Sequence, residues 1–360
     1  MSIKKILFLT PYPYNSAPSQ RFRFEQYLAI LSKAGCKYQL KPFLSQLGWQ
    51  YFYKGNLLIV SLFLLQGFLK RILSLFSVPF YDIVFIHREV SPIGPPIFEW
   101  IITKIFRKKV IYDFDDAIWM PDPVEKGTLL TKLKWKSKVS KICKWSYRVS
   151  VGNQFLANYA LNFNNNVVIN PTTIDTENLH NPTLFELNKD DSATVIGWTG
   201  THSTLHYLDL IIPIIEKLEK EFNITFLVIA NKNPEYNLKS FQFAPWDKET
   251  EIKDLMKIDI GIMPLSDDSW SQGKCGFKLL QYMALEKPVL ASPIGVNNQI
   301  IQNEVNGYLC SAIQEWDEKL SNLIKNLNTR SLMGKAGRGK VINSYSVSSN
   351  KSNFLSLFEL

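Results

Sequence analysis

The sequence has little that would indicate a metal-bound or disulfide-linked protein. No two of its four cysteines form a CxxC pair; they are Cys36, Cys143, Cys275 and Cys310. Such scattered cysteines indicate neither a zinc site nor a disulfide framework, and they suit a reducing compartment. Low-complexity tracts and short-period repeats are also absent, although two similar α/β halves are themselves a coarse duplication.

Long uncharged hydrophobic runs are missing too. The longest candidate, residues 57–76, is interrupted by Lys70 and Arg71, and the uncharged run before them is too short to span a bilayer. Gln66, Lys70 and Ser74 recur every four residues, so at helical spacing they form a thin polar stripe along this segment. We expect a mostly buried helix, with an interfacial helix lying on a bilayer as the alternative.

What the sequence does contain is the composition of a folded protein. Of its 360 residues, 46% are hydrophobic and 20% are charged, and this length predicts two domains with separate cores. The net charge of +9 favours an anionic partner: nucleic acid, a lipid head group or a phosphorylated metabolite. No interleaved aromatic and basic motif supports nucleic acid, which we therefore do not expect as a partner.

The first residues predict a strand and not a signal peptide. Lys4 and Lys5 lead directly into ILFLT, which ends at the proline-rich turn PYPYNSAPS. We therefore expect a cytoplasmic protein.

Short apolar runs rich in β-branched residues alternate with helical patterns along the whole chain. This alternation predicts parallel sheets covered by helices, with ligands at the carboxyl ends of the strands. A stretch rich in Asn, Pro and Thr, residues 164–187, separates two such series. The expected domains are residues 1–170 and 171–345, and residues 346–360 are expected to form a helix that could return to the first domain. The ten predicted strands are 6–10, 38–43, 82–87, 110–114, 149–151, 194–198, 224–229, 258–264, 288–292 and 308–310.

The most informative segment, residues 273–292, reads GKCGFKLLQYMALEKPVLAS. At helical spacing Lys274, Lys278 and Gln281 fall on one polar stripe, and the other positions are apolar. Two lysines at a helix N-terminus are a plausible anion cradle. An ordinary solvated helix face with surface lysines is an equally good reading of the same pattern.

Two further segments of the second domain are candidates for donor binding. The turn GTHST after the strand at 194–198 offers Gly200, Thr201 and Ser203, whose backbone N–H groups and hydroxyls suit a phosphate. Simple capping of the next helix would explain the same residues. Trp246 precedes a later helix and could border a base pocket, although aromatic core packing is the more common role.

In the first domain, acidic residues cluster at the end of a predicted strand in VIYDFDDAIW. Asp113, Asp115 and Asp116 superficially suit a metal-dependent transferase or a phosphatase, but helix capping and ion pairing explain them equally well. His87 closes the preceding strand and could face the same cleft. We predict His87, Asp113 and Asp116 as candidate catalytic residues.

The loop after the first strand, SAPSQRFRF, supplies the other candidates of the first domain. Ser19 and Arg21 lie where an anionic substrate group or an acceptor would approach, because the loop is at the carboxyl end of the strand. Solvent exposure alone is the alternative.

Five motifs taken in order resemble the nucleotide-sugar half of family 4 glycosyltransferases: GWTGTHST, FAPW, DIGIMPL, GKCGFKLLQYMALEKPVLASPIGVNNQII and NGYLC. In the N-terminal half, FIHREVSPIGPPIFEW and KKVIYDFDDAIW are similar to a bacterial branch of that family involved in polysaccharide assembly. The resemblance implies an α/β GT-B fold: two Rossmann-like, doubly wound parallel-sheet domains facing a cleft.

The same resemblance implies residue roles. KxxQYMA, residues 278–284, is similar to the family's KxxEYMA helix, whose lysine approaches the donor phosphates and whose glutamate holds the nucleotide ribose. Lys278 matches that lysine. Gly273 and Gln281 stand where the family usually has two glutamates separated by seven residues, so both carboxylates are missing.

The function implied is a glycosyltransferase acting on a nucleoside-diphosphate sugar, with a glycan or lipid-linked glycan acceptor, retention of configuration, no metal and no further cofactor. Contact with the inner face of the cytoplasmic membrane would suit a lipid-linked acceptor. The alternative is a non-catalytic GT-B subunit that binds a nucleotide sugar or a partner enzyme, because both glutamates are missing. A phosphatase or metal-dependent transferase centred on Asp113 and Asp115 is a third hypothesis.

Overall fold

The computed structural model describes residues 3–52, 57–121, 133–185 and 193–360. The chain divides into two compact units: unit 1 is Met1–Thr172 with Asn350–Leu360, and unit 2 is Thr173–Ser349. The expected linker spans this division, and its last two residues lie outside the described residues.

Unit 1 contains a six-stranded parallel sheet in the order β2-β1-β3-β4-β5-β6. Apolar runs such as ILFL and IVFI form its central strands because a parallel sheet covered on both faces buries every side chain. Its strands are β1 Lys5–Thr10, β2 Lys37–Pro42, β3 Ile83–His87, β4 Lys109–Phe114, β5 Arg148–Val151 and β6 Val167–Ile169. Its α-helices are α1 Pro18–Arg21, α2 Leu28–Lys33, α3 Gln46–Phe52, α4 Leu57–Leu75, α5 Ile97–Trp100, α6 Lys138–Trp145 and α7 Gln154–Leu161, with a π-helical turn at Ile101–Ile105.

Unit 2 repeats this architecture, with strand order β12-β11-β10-β7-β8-β9, again all parallel. Its strands are β7 Thr194–Gly200, β8 Ile224–Ala230, β9 Phe241–Pro245, β10 Ile260–Met263, β11 Val289–Ala291 and β12 Gly307–Leu309. Its α-helices are α8 Ile212–Glu221, α9 Glu251–Met256, α10 Ser269–Gln272, α11 Phe277–Ala284, α12 Asn297–Ile300, α13 Ile313–Lys325 and α14 Leu327–Ser344, and α15 Val347–Ser356 follows. Short 3-10 segments lie at Glu25–Tyr27, Val78–Phe80, Pro182–Leu184 and His202–Leu210.

The segment Asn350–Leu360 belongs to unit 1 although it follows unit 2 in the chain. Phe354 stacks on Tyr27 with ring centroids 4.3 Å apart, and Phe358 lies 5.9 Å from Phe85. These aromatic rings are buried, so residues from the end of α15 onward complete the core of unit 1.

The ten predicted strands all form, and the structure adds two, β6 and β9. Both are edge strands, each bonded to a single neighbour. Edge strands are buried less completely than central ones, so their sequences carry a weaker apolar signal. β6 lies within the Asn-rich stretch that we assigned to the linker, and β9 ends in a proline.

The prediction of a mostly buried helix at residues 57–76 is wrong. Within α4, residues 58–75 have a mean hydropathy of 1.8, and only 17% of that window is buried. By length and composition alone this window is sufficient to cross a membrane, so the two basic residues do not exclude a span by themselves. The predicted polar stripe does not share one environment, because Gln66 is exposed, Lys70 is half-buried and Ser74 is buried against unit 1.

Candidate functional site

The candidate site lies at the carboxyl ends of the central strands of unit 2. β7 pairs with β8 on one side and with β10 on the other, so the chain reverses its direction of winding beside β7. Connections that leave such a switch point in opposite directions open a crevice there, where ligands of this fold class bind.

The turn after β7 brings its backbone unusually close to neighbouring groups. A Cβ atom on Gly200 would lie 2.3 Å from the Trp198 ring and 2.9 Å from Thr204 Oγ1, so only glycine fits. The hydroxyls of Thr201 and Ser203 are 2.9 Å apart and hydrogen-bond each other. The turn therefore presents a backbone without a side-chain obstruction and two adjacent hydroxyls, a suitable surface for phosphate oxygens.

The same turn is held by a second polar contact. The His202 backbone N–H donates to Asn231 Oδ1 at 2.7 Å, and Asn231 Nδ2 lies 3.1 Å from His202 Nδ1. Asn231 directly follows β8, so this contact ties together the loops after two adjacent strands. Asn231 was missed in the sequence because a lone asparagine after a strand usually forms a turn.

Helix α11 begins close to this crevice and places its positive N-terminal end there. Gly276 caps it with a left-handed backbone, φ +67°, and a Cβ at this position would lie 2.3 Å from Ile300 Cδ1. A side chain at residue 276 would thus be strained by its backbone and crowded by α12. The glycine fixes where the helix starts.

The two lysines of the candidate cradle occupy different surroundings. Lys278, in the first turn of α11, has its Nζ 5.2 Å from the centroid of the Trp198 ring at β7. Lys274 precedes the helix, and its Nζ is 5.0 Å from the Trp270 ring centroid. The single helical stripe expected over residues 274–281 is therefore not formed. Lys278 is the lysine that lies over the switch-point strand.

Gln281 faces the interior of unit 2. It is 2% exposed, its Nε2 donates to Glu251 Oε1 at 3.3 Å, and it lies 3.3 Å from His180 Nε2. Residues 180, 251 and 281 are far apart in sequence, and no local motif joins them. The structure thus reveals a buried glutamate beside the position where the family resemblance predicts one, supplied by a different helix.

Trp246 directly follows β9, at the carboxyl edge of the sheet. Its backbone N–H donates to the carbonyl of Ala230 at 2.8 Å, and its side chain is half-buried. The neighbouring Phe243 packs against the core of unit 2. Trp246 is therefore at the same sheet edge as the turn at residues 200–204, two strands further along.

In unit 1, Asp113 is the centre of a buried polar cluster. Its carboxylate pairs with Arg23, accepts a hydrogen bond from Ser150 Oγ at 2.7 Å and lies 2.8 Å from His87 Nδ1. Burial by itself would raise the pKa of Asp113, but the charge of Arg23 and the hydrogen bond with His87 hold that pKa below its usual range. His87 and Asp113 are 0% and 1% exposed, and no partner of His87 Nε2 is found among the described residues.

The other two aspartates belong to a separate ion-pair cluster. Arg88 Nε donates to Asp115 Oδ1 at 2.8 Å, and its Nη2 lies 2.9 Å from Asp116 Oδ2. Burial tends to lower the pKa of Arg88, but the two carboxylates raise it well above its ordinary value. The three acids of YDFDD therefore do not converge on one point. In the described part of the chain, no group of three or more His, Cys, Asp or Glu side chains is arranged to hold a metal ion.

Ser19 and Arg21 both lie in the short helix α1, directly after the loop that follows β1. Ser19 is half-buried, whereas Arg21 is 8% exposed and its guanidinium lies 4.9 Å from the Phe22 ring centroid. In this structure Arg21 therefore presents little of its charge to solvent.

Residues 193–326 match the family model described as "Glycosyl transferases group 1". No curated protein matches the chain. The matched residues contain the turn at 200–204, Trp246 and the whole of α11.

Solved structures resemble the full length of the chain. A glycosyltransferase from Rickettsia africae ESF-5 superimposes with a TM-score of 0.71 at 14% identity, covering 100% of this chain and 98% of that one. Sucrose-phosphate synthase from Thermosynechococcus elongatus gives 0.67 at 10% identity, covering 99% and 98%. HepE of Anabaena in complex with UDP-glucose gives 0.64 at 13% identity, covering 99% and 100%.

At these identities the structural likeness establishes the fold, and the two six-stranded parallel sheets agree with it. The predicted GT-B fold and the family resemblance are confirmed. Residues 193–326 of the chain are therefore similar to the group 1 glycosyltransferases, and its two units have the GT-B fold.

Proposed function

We propose that the protein transfers a sugar from a nucleoside-diphosphate sugar to a glycan or lipid-linked glycan in the assembly of a cell-surface polysaccharide. The observation that carries the donor half of this proposal is the position of Lys278 over Trp198 at the switch point, inside the region that matches the group 1 model. The UDP-glucose held by the Anabaena protein supports a UDP-sugar as the first donor to test.

Each group in the candidate site has a proposed role. Gly200, Thr201 and Ser203 would bind phosphate oxygens, and Trp246 would border the base. Lys274, Lys278 and the N-terminus of α11 would stabilise the diphosphate as it leaves, which is electrostatic stabilisation of developing negative charge. Because fixed cations and helix N–H groups supply this stabilisation, the proposed reaction uses neither a metal nor a cofactor.

The acceptor side is proposed for unit 1, where Ser19 and Arg21 lie after β1. The candidate catalytic residues are still His87, Asp113 and Asp116. Because His87 and Asp113 are buried, a purely structural role is the alternative for these two. We also propose that the reaction takes place in the cytoplasm. Three of the four free cysteines are buried thiols, which suits a reducing compartment.

Donor binding is tested by thermal unfolding with UDP, GDP, ADP and dTDP sugars, since a ligand of the native state raises the melting temperature. Lys278→Ala should abolish the shift, and Lys220→Ala, which removes an exposed lysine of α8, should keep it. A shift that persists in Lys278→Ala would contradict the assignment of this lysine.

Transfer itself needs its own measurement. Release of free UDP from UDP-glucose, with and without a glycan acceptor, should be unaffected by EDTA if no metal takes part. The anomeric configuration of the product, followed by NMR, tests retention. Inversion would remove the retaining mechanism and leave the transferase proposal intact.

A non-catalytic subunit is the second candidate. It is favoured by Gly273 and Gln281, which stand where the family resemblance predicts glutamates, and by the burial of the Gln281 amide against Glu251. Binding of a nucleotide sugar with no hydrolysis and no transfer to any acceptor tested would support this candidate. Turnover that disappears in Lys278→Ala would eliminate it.

A further inference from the structure

Helix α4 of unit 1 presents its apolar residues to solvent. Its outward residues recur every three or four positions, so they form one continuous stripe that runs past the helix end. They are between 54% and 81% exposed. We call them the outer face: Leu58, Leu62, Leu65, Leu69, Leu73, Phe76 and Phe80.

Two polar residues of the helix, Arg71 and Ser74, face the protein, which is the reverse of an ordinary surface helix. Arg71 is 1% exposed, and its guanidinium donates to the backbone carbonyls of Val90 at 2.7 Å, Lys41 at 2.5 Å and Thr10 at 2.6 Å. A Cβ on Gly67 would lie 2.4 Å from the Phe43 ring, so the helix packs closely against unit 1. These contacts fasten α4 along unit 1, an arrangement in which it cannot also cross a bilayer.

A second exposed group extends the outer face. Phe68 of α4 stacks on Phe98 of α5 with ring centroids 6.3 Å apart, so the two helices are neighbours. On α5 and the turn after it, Ile97, Trp100 and Ile105 are 45% to 58% exposed. Tryptophan at the edge of an apolar patch is typical of a surface that meets lipid head groups.

Within residues 57–80 and 97–108 the exposed charge is of one sign. Lys104 and Arg107 are exposed beside Ile105, and Lys108 Nζ donates to the carbonyl of Pro79 at 2.8 Å, next to Phe80. Residues 57–80 contain no Asp or Glu, and the single acid of residues 97–108, Glu99, is 1% exposed. A wide apolar stripe bordered by cations and free of exposed carboxylates complements an anionic lipid surface.

We propose that the outer face of α4, with Trp100 and the basic residues beside it, docks unit 1 onto an anionic membrane surface. The helix lies along the bilayer plane, and its leucines and phenylalanines enter the boundary between head groups and acyl chains. This inference does not depend on the proposed transfer reaction, since docking needs neither donor nor acceptor.

The test is co-sedimentation with vesicles of phosphatidylcholine alone or with phosphatidylglycerol, without nucleotide sugar. We expect binding to the anionic vesicles that weakens with salt. Leu65→Glu combined with Leu73→Glu should lower vesicle affinity at least tenfold. The matched control, Leu327→Glu with Leu332→Glu, changes two exposed leucines of unit 2 and should leave affinity within about twofold of wild type.

Circular dichroism and UDP-sugar binding of both double variants show whether they are folded. Equal vesicle binding by the Leu65/Leu73 variant and wild type would overturn the proposal. So would a fraction that resists an alkaline wash, which would indicate a span. A dimer that dissociates in this variant, without vesicle binding by wild type, would assign the outer face to a second copy of the chain.

Discussion

The two units share one architecture but use the carboxyl ends of their strands differently. In unit 1, the charged residues at the ends of β3 and β4 are paired with one another: Asp113 with Arg23 and His87, and Asp115 and Asp116 with Arg88. In unit 2, the same edge carries glycine, hydroxyl groups and a lysine over a tryptophan ring. A charge already paired inside the protein contributes to stability, whereas a lysine and hydroxyl groups at the switch point are placed where ligands of this fold class bind.

This contrast predicts that substitutions in unit 1 change stability first and those in unit 2 change ligand binding first. The largest effect should come from Arg23→Met, which leaves the Asp113 carboxylate buried beside an apolar side chain. Removal of one partner of a buried ion pair costs about 3–5 kcal/mol. Urea unfolding followed by fluorescence would measure this loss. Destabilisation below about 1 kcal/mol would show that the cluster is not as closed as its burial indicates.

Acid should weaken the same cluster. The pKa of Asp113 is lower in the folded state than in the unfolded chain, where it is about 3.9. Its contribution to stability is therefore present above about pH 4 and is lost as the pH falls through the folded-state pKa. Urea midpoints between pH 7 and pH 3 should fall less steeply for Asp113→Asn than for wild type, starting from a lower value. Parallel curves would assign the acid sensitivity to other carboxylates.

In unit 2, Lys278→Ala should act on donor affinity. Hydrogen bonds to a charged group contribute about 1.5–3 kcal/mol, so we expect a roughly tenfold to hundredfold weaker affinity for the nucleotide sugar. Calorimetry with wild type and the variant measures the ratio. The unfolding midpoint without ligand should stay unchanged; a large shift in it would place Lys278 among the structural residues and weaken the contrast between the units.

A smaller effect is expected at the glycine that starts α11. Gly276→Ala places a side chain in the left-handed region, at a cost of about 1–2 kcal/mol, and displaces Ile300. Gly339→Ala is the matched control, because it lies within α14 with no atom inside 4 Å of the added Cβ. Alanine there should stabilise the protein by about 0.5–1 kcal/mol. Thermal unfolding of the pair should therefore give shifts of opposite sign.

The smallest effect is expected on the surface of unit 2. Lys217 pairs with Asp317 at 2.6 Å, but the lysine is 55% exposed. Exposed pairs contribute little because water and salt screen them. Lys217→Ala should leave both the unfolding midpoint and donor affinity unchanged. A clear loss of stability would mean that surface charges of unit 2 matter as much as the buried ones of unit 1.

The fold was predictable because central parallel strands are apolar runs in the sequence, such as ILFLT and IVFIH. The turn at residues 200–204 and α11 were predictable for a related reason, since their glycine and lysine positions follow ordered motifs. The edge strands β6 and β9 carry too little apolar signal. The Gln281–Glu251–His180 contact joins three distant parts of the chain, and nothing local predicts it.

The exposure of α4 was not predicted, for another physical reason. Arg71 carries a charge, and charges are ordinarily expected to face water, yet three backbone carbonyls bind it inside unit 1. A buried arginine satisfied by carbonyls has no sequence signature. The helix orientation therefore required the structure.

The path of residues 350–360 has a consequence for how the protein is made. Phe354 and Phe358 fill the core of unit 1, but they follow every residue of unit 2 in the chain. A ribosome must therefore synthesise residues 173–349 before unit 1 receives its last core side chains. Until then the aromatic pocket around Tyr27 and Phe85 stays open, and a nascent chain stalled within unit 2 would be a natural target for chaperones.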